Sequence, residues 1–278
     1  MTVLLATFAE MPEGEPGSEA LDAALDGRGI VARWVCWDDP GVDWAAADLV
    51  AVRSTWDYVK RYAEFLAWAR RVEAVAPVLN GAEVFEWNID KSYLTRLGDL
   101  PVVPTRLVDG QSSIAAAIAE FGTVVVKPRV GAGGRGLVMA DHSGDPRLAA
   151  LPDVPLIAQP LVPSIRTEGE LSVFVLDGVA ISMVRKLPAA GEIRAHEYRG
   201  ATCSAVPLKH DVARLALRAV AEAQRFTGRP LDYLRVDLLR HDDAWCVSEL
   251  EATEPGLYLD LLPANADPFV DLVAARLR

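Results

Sequence analysis

Cysteine is scarce in this 278-residue sequence, and Cys36, Cys203 and Cys246 stand far apart with no C-x-x-C spacing. That excludes a disulfide framework or a cysteine-based zinc site and suits reduced thiols buried in the packing. Positive charge is also short. With 28 Lys and Arg against 39 Asp and Glu, the net charge is −11, which argues against a broad nucleic-acid or anionic-membrane footprint while leaving a small anionic ligand compatible with a local basic cluster. No apolar run approaches the ~18 residues that span a bilayer. The opening stretch MTVLLATFAE lacks the basic region and small-residue cleavage site of a secretory signal. The expectation is a cytoplasmic protein with no nucleic-acid and no membrane partner.

What is present is the material for a large core, since 51% of residues are hydrophobic and 24% charged, a balance that disordered chains do not have. The length exceeds the ~100–200 residues of one domain, so two or three lobes are expected. In the first 80 residues, strand-like runs at Thr2–Thr7, Ile30–Trp37 and Asp48–Arg53 alternate with helix-like stretches, around Leu21 and Leu25 and then from Tyr62 to Val75. A further short strand ends at Asn80. This is the pattern of a βαβ lobe. Asn88 then reads as the cap of a short helix bearing Tyr93, Leu94 and Leu97. The pattern next predicts a helix over Ser112–Phe121, strands at Thr123–Lys127, Leu137–Ala140 and Leu156–Gln159, and a hairpin of Leu171–Leu176 and Val179–Arg185 turned by Asp177-Gly178. A long helix capped by Asp211 and two last strands, Tyr233–Leu239 and Ala244–Glu251, complete the reading. The divisions expected are 1–80, 81–165 and 166–278.

Three local patterns carry chemistry. On the terminal strands, Asp237 lies opposite the apolar face of Leu234, Val236 and Leu238, while Glu249 and Glu251 share one face ~7 Å apart. Three converging carboxylates suit a hard cation such as Mg²⁺ bridging phosphates, although a solvated acidic face is the plain alternative. Lys127-Pro-Arg-Val-Gly131-Ala-Gly133-Gly134-Arg135-Gly136 ends a strand in lysine and opens a glycine loop. Its backbone N–H groups can approach phosphate oxygens, yet the spacing matches neither a Walker loop nor a dinucleotide fingerprint, and a flexible hairpin is equally compatible. Gln159-Pro-Leu161-Val162, followed by Glu170, can meet a purine edge and ribose hydroxyls, or can be an ordinary connector between lobes.

In this order the patterns resemble the ATP-grasp superfamily, in particular its glutathione-synthetase-like carboxylate-amine ligases, over roughly residues 80 to 262. The resemblance implies an α/β fold with an N-terminal βαβ pre-grasp domain, ATP with Mg²⁺ (or Mn²⁺), and ligation of small-molecule carboxylate and amine substrates through an acyl phosphate. By that resemblance Lys91, Lys127, Arg135 and the glycines 131, 133 and 134 face the phosphates. Gln159, Leu161 and Val162 would hold adenine, Glu170 the ribose, Lys186 and Arg194 the transferring phosphoryl group, and Asp237, Glu249 and Glu251 the metal. Glu251 stands where the family usually has asparagine, and His196 replaces another asparagine; a general-base role and a packing role both remain open for it. The segment Arg53-Ser54-Thr55-Trp-Asp-Tyr58 follows a strand at the ligand-binding end of an open sheet, so Arg53, Ser54 and Thr55 are candidate substrate contacts. That segment and Glu254-Pro-Gly-Leu-Tyr-Leu-Asp260 add a narrower likeness to the O-ureidoserine cyclo-ligase of cycloserine biosynthesis. A non-catalytic ATP-binding regulator and a small-molecule kinase are the competing readings. The family is often dimeric, which leaves a homodimer open.

Overall fold

The computed structural model describes residues 1–278, with no helix long and apolar enough to cross a membrane. Strand β1 (Thr2–Thr7), helix α1 (Ser18–Gly27), strands β2 (Val31–Cys36) and β3 (Leu49–Val52), and helices α2 (Tyr62–Glu73) and α3 (Ala82–Ile89) build the first lobe. Its sheet is parallel in the order β2-β1-β3. Both faces are covered, which is why β1 is apolar along its length instead of alternating. Leu4, Ala6, Val50 and Val52 pack against Phe65, Trp68 and Phe85 of α2 and α3. Val3, Leu5, Leu49 and Ala51 face the other way, onto Leu21 and Leu25 of α1. The strand expected to end at Asn80 reduces to a single parallel bridge, Val50 to Val78.

A second sheet comprises β4 (Arg106–Val108), β5 (Val124–Pro128), β6 (Val138–Ala140) and β7 (Leu156–Pro160) in the order β4-β7-β5-β6, backed by α4 (Gln111–Phe121) through Ile114 and Ala117. The third has five antiparallel strands, β8 (Glu170–Leu176), β9 (Val179–Leu187), β10 (Thr202–Ala205), β11 (Tyr233–His241) and β12 (Ala244–Glu251), in the order β10-β9-β8-β11-β12. Helix α5 (His210–Thr227) covers one face, its Val212, Ala216, Ala219 and Ala223 meeting Leu171, Val173, Val236 and Leu238. The period-2 alternation therefore sends Ser172, Arg235 and Asp237 to the opposite face. A last helix, α6 (Ala266–Arg276), returns to the first lobe, where Phe269, Val270 and Val273 join the cluster of Val3, Leu5 and Leu21.

Asn88 is not the cap that the sequence suggests. It lies in the last turn of α3, and its amide serves the end of β12, donating to the Leu250 carbonyl (2.7 Å) and accepting from the Ala252 N–H (2.8 Å). Asp90 caps the following turn instead, accepting from the Ser92 N–H at 2.9 Å. The long helix likewise begins at His210, with Lys209 at its cap position and no side-chain cap bond.

Asn80 links the lobes. With φ of 61°, in a left-handed conformation that Asn tolerates, it donates to the carbonyls of Tyr233 and Ala252 (both 2.8 Å) and accepts from the Asp232 N–H (2.7 Å). Asn80→Ala leaves these buried groups unpaired, and urea unfolding should record a loss of about 2–4 kcal/mol.

Candidate functional site

The polar face of the third sheet is set by register. Asp237 lies opposite Glu249, and Arg235 opposite Glu251, with a bulge between Asp237 and Leu238. Across the other edge Ser172 faces Asp237, while Glu170 faces Lys186 on the next strand pair. The Arg235 guanidinium donates to both Asp237 oxygens, at 2.9 and 2.8 Å, and reaches Glu251. Asp237 also accepts from Ser172 Oγ (2.6 Å) and Lys186 Nζ (3.3 Å), and Lys186 pairs with Glu170. From the turn after α3, Lys91 pairs with Glu249 (3.0 Å) and donates to the Gly131 carbonyl (2.5 Å).

Charge balance decides the protonation of these groups. Burial opposes ionisation of Asp237, but Arg235 and Lys186 outweigh it and hold the carboxyl well below its usual range. Lys186 is pulled down by burial and yet held above the ordinary lysine value by Asp237 and Glu170. For Glu249, Lys91 and Lys127 overcome burial and lower the pKa. Glu251 goes the other way: burial raises its carboxyl to about 7 against the pull of Arg235. Lys127, at the end of β5, is depressed by burial and has no ion-pair partner.

The glycine loop lies against the segment 191–200. A Cβ on Gly134, at φ of 61°, would stand 2.7 Å from Arg194 Cδ, so only glycine allows this approach. One residue earlier, the Tyr198 hydroxyl donates to the Gly133 carbonyl. Arg194 is held by Glu192 at 2.5 Å, its Nε without a partner. His196 is half-buried with an unpartnered Nδ1, and burial together with Lys186 lowers it to about 4, so it is neutral at pH 7.

These groups line one cavity of about 680 Å³. The structure brings into it all the phosphate-directed residues named from the sequence, Lys91, Lys127, Gly131, Gly133, Gly134 and Arg135, together with Lys186 and Arg194. Gln159, Leu161, Val162 and Glu170 are in its wall, and so are Asp237, Glu249 and Glu251. The three carboxylates share one face but do not converge as a ligand trio; cationic side chains meet their charge instead. Their all-oxygen chemistry fits a hard divalent cation.

Arg53, Ser54 and Thr55 require a correction. All three are completely buried and none lines the cavity. Arg53 points inward beneath the sheet, donating to Glu15 (2.8 Å) and the Pro255 carbonyl (2.9 Å), with its guanidinium 4.8 Å from the Phe269 ring centroid. Ser54 is hydrogen-bonded to Thr7 (2.8 Å), and the Thr55 hydroxyl has no partner. Trp56, Asp57 and Tyr58 of the same segment do reach the cavity. Asp57 makes no side-chain cap bond; it accepts from the Trp37 indole (2.9 Å) and Arg61 (3.1 Å). Sequence reasoning also missed Arg235, although its place two residues before Asp237 puts both on one strand face.

Residues 3–80 match the family model described as the N-terminal domain of D-cycloserine synthetase DcsG, and residues 90–229 match that of the prokaryotic glutathione synthetase ATP-grasp domain. The cycloserine biosynthesis protein DcsG of Streptomyces lavendulae is 32% identical over 274 residues, covering 90% of each chain. A glutathione synthetase of Parasynechococcus marenigrum is 28% identical over 64% of this chain and 57% of its own length. Among solved structures, the crystal structure of D-cycloserine synthetase DcsG superposes with a TM-score of 0.86 at 30% identity, covering both chains fully. The ATP-grasp ligase PsnB, complexed with a minimal precursor, shares the fold at a TM-score of 0.69 and 18% identity over 99% of this chain and 98% of its own.

The Arg53–Glu15 pair has both partners out of water, so removing one leaves an uncompensated charge. Arg53→Met should cost about 3–5 kcal/mol of stability in chemical denaturation, with the loss recorded in the absence of any substrate.

Proposed function

The chain belongs to the ATP-grasp ligases, which join carboxylates to amines with release of ADP, and we propose that it activates the carboxylate of a small molecule as an acyl phosphate and passes the acyl group to an amine-type nitrogen. The observation that carries this reading is Lys127. It is a half-buried cation without a counter-ion, beside Lys91, Lys186 and Arg235, which are already paired with acids. An anionic ligand supplies what it lacks, and the glycine loop that follows it offers backbone donors to phosphate oxygens.

In this reading Lys91, Lys127, Arg135 and the glycines at 131, 133 and 134 bind the phosphates, while Gln159, Leu161 and Val162 line the adenine end with Glu170 toward the ribose. Asp237, Glu249 and Glu251 would hold Mg²⁺, which supplies charge neutralisation for the phosphates when bound. Lys186 and Arg194 face the transferring phosphoryl group and stabilise its developing charge by position alone. Arg235 keeps Asp237 ionised and oriented. The loop contacts of Tyr198 and Arg194 keep water from the activated carboxylate. The first lobe contributes Trp56 and Tyr58 to the end of the cavity away from the nucleotide, and so carries the choice of substrate.

A screen of carboxylic acids and amines for ADP release, with mass spectrometry of the product, tests the reaction. An amide product mass is expected; a stable phosphorylated product would instead indicate a kinase, and ADP release independent of any carboxylate would overturn the reading. Lys127→Ala should weaken ATP binding by about 1.5–3 kcal/mol in calorimetry, the loss for a hydrogen bond to a charged group.

A further inference from the structure

The cavity extends to the first lobe, whose Phe8, Met11, Trp56 and Tyr58 line it together with the acid Glu254. The other acids on this side are accounted for. Glu15 is neutralised by Arg53 and accepts from the Leu257 N–H at 2.6 Å; Asp57 is held by Arg61 and the Trp37 indole; Glu10 and Asp260 stand in water. Glu254 is 7% exposed, and no lysine or arginine pairs with it. The nearest cations are committed elsewhere, Lys91 to Glu249 and Arg235 to Asp237 and Glu251. Lys60, also on this side of the cavity, is exposed.

An acid buried without a cation is held in its neutral form, and acids perturbed in this way in a cleft cluster where ligands are bound. Around Glu254 the chemistry is specific. The Tyr58 hydroxyl faces the carboxyl, and the Trp56 indole N–H donates to the backbone carbonyl of Glu254 at 3.2 Å, so both side chains are fixed at this residue. A carboxyl that ionises beside a protonated amine recognises it by charged hydrogen bonds.

We infer that Glu254, flanked by Tyr58 and Trp56, is the specificity-determining residue for a substrate that carries a protonated amine, received at the first-lobe end of the cavity. Burial and the neighbouring Glu251 push the Glu254 carboxyl up to about 8, so without a cation it is a neutral acid at pH 7, and an ammonium beside it would draw it into its charged form. The inference rests on the ligase reading of the same cavity, and binding measurements let the two fail separately.

The experiment titrates the full-length protein, loaded with ADP and Mg²⁺, with the common amino acids and their N-acetyl counterparts, using calorimetry. At least one free amino acid is expected to bind, and its N-acetyl form to bind at least tenfold more weakly. Glu254→Gln, which matches the shape of the neutral acid, should lose at least tenfold for the same amino acid while its affinity for ADP is retained, and Glu254→Asp should restore part of the loss. Equal binding of acetylated and free forms to the wild-type protein overturns the inference, whatever the stability of the variants. So does unchanged amino-acid affinity in Glu254→Gln, the outcome expected if Glu254 only braces Tyr58. Binding of no amine-bearing member would also overturn it. Should amine binding depend on Glu254 while no carboxylate drives ADP release, the ligase reading falls and the amine site stands.

Discussion

The structure depends on packing several charges of both signs against one sheet face with little water. A lone carboxylate in that setting would be protonated, and a lone ammonium would lose its proton. Here Arg235 joins Asp237 to Glu251, Lys186 joins Asp237 to Glu170, and Lys91 joins Glu249 to the glycine loop. Each ion is tolerable only because its neighbour is present. The network therefore fixes the orientation of side chains from strands far apart in sequence, and it leaves Lys127, beside it, without an acid of its own. Preorganised charge of this kind is what phosphoryl transfer requires, since the protein's task there is position and neutralisation.

Much of this was legible in the sequence because strands have a period of 2. Asp237, Glu249 and Glu251 sit opposite apolar neighbours, so their common face follows from alternation, and the hairpin register places Asp237 beside Glu249. The strand at Thr2–Thr7 and the last strand were readable residue for residue, being apolar runs bounded by clear turns. Strands β4 and β10 were not, for they have three and four residues and are fixed by pairing with longer partners. The final helix also escaped, because its apolar face is matched by residues of the first lobe, more than 200 positions away.

Arg53 marks a sharper limit. Its place at the end of a parallel strand is where ligands gather, and nothing local separates an arginine that greets a ligand from one that turns inward. The deciding partners are Glu15, 38 residues earlier, and the Pro255 carbonyl, 202 residues later. Distant pairing of that kind is invisible to periodicity. In contrast, Trp56 and Tyr58 of the same segment reach the cavity and also pack against the core of the first lobe.

The return of α6 to the first lobe has a consequence for how the chain is made. Residues 1–80 leave the ribosome well before Leu257, Leu259, Phe269, Val270 and Val273, yet these later residues cover one face of their sheet and the flank of α1. Contacts of such long sequence separation form late and slowly. The central and third sheets can assemble around their own helices while that face of the first lobe stays open. Nascent chains stopped short of α6 would carry an exposed apolar face and belong among the substrates of chaperones and proteases. Synthesis of α6 is thus also the event that closes a lobe made well before it.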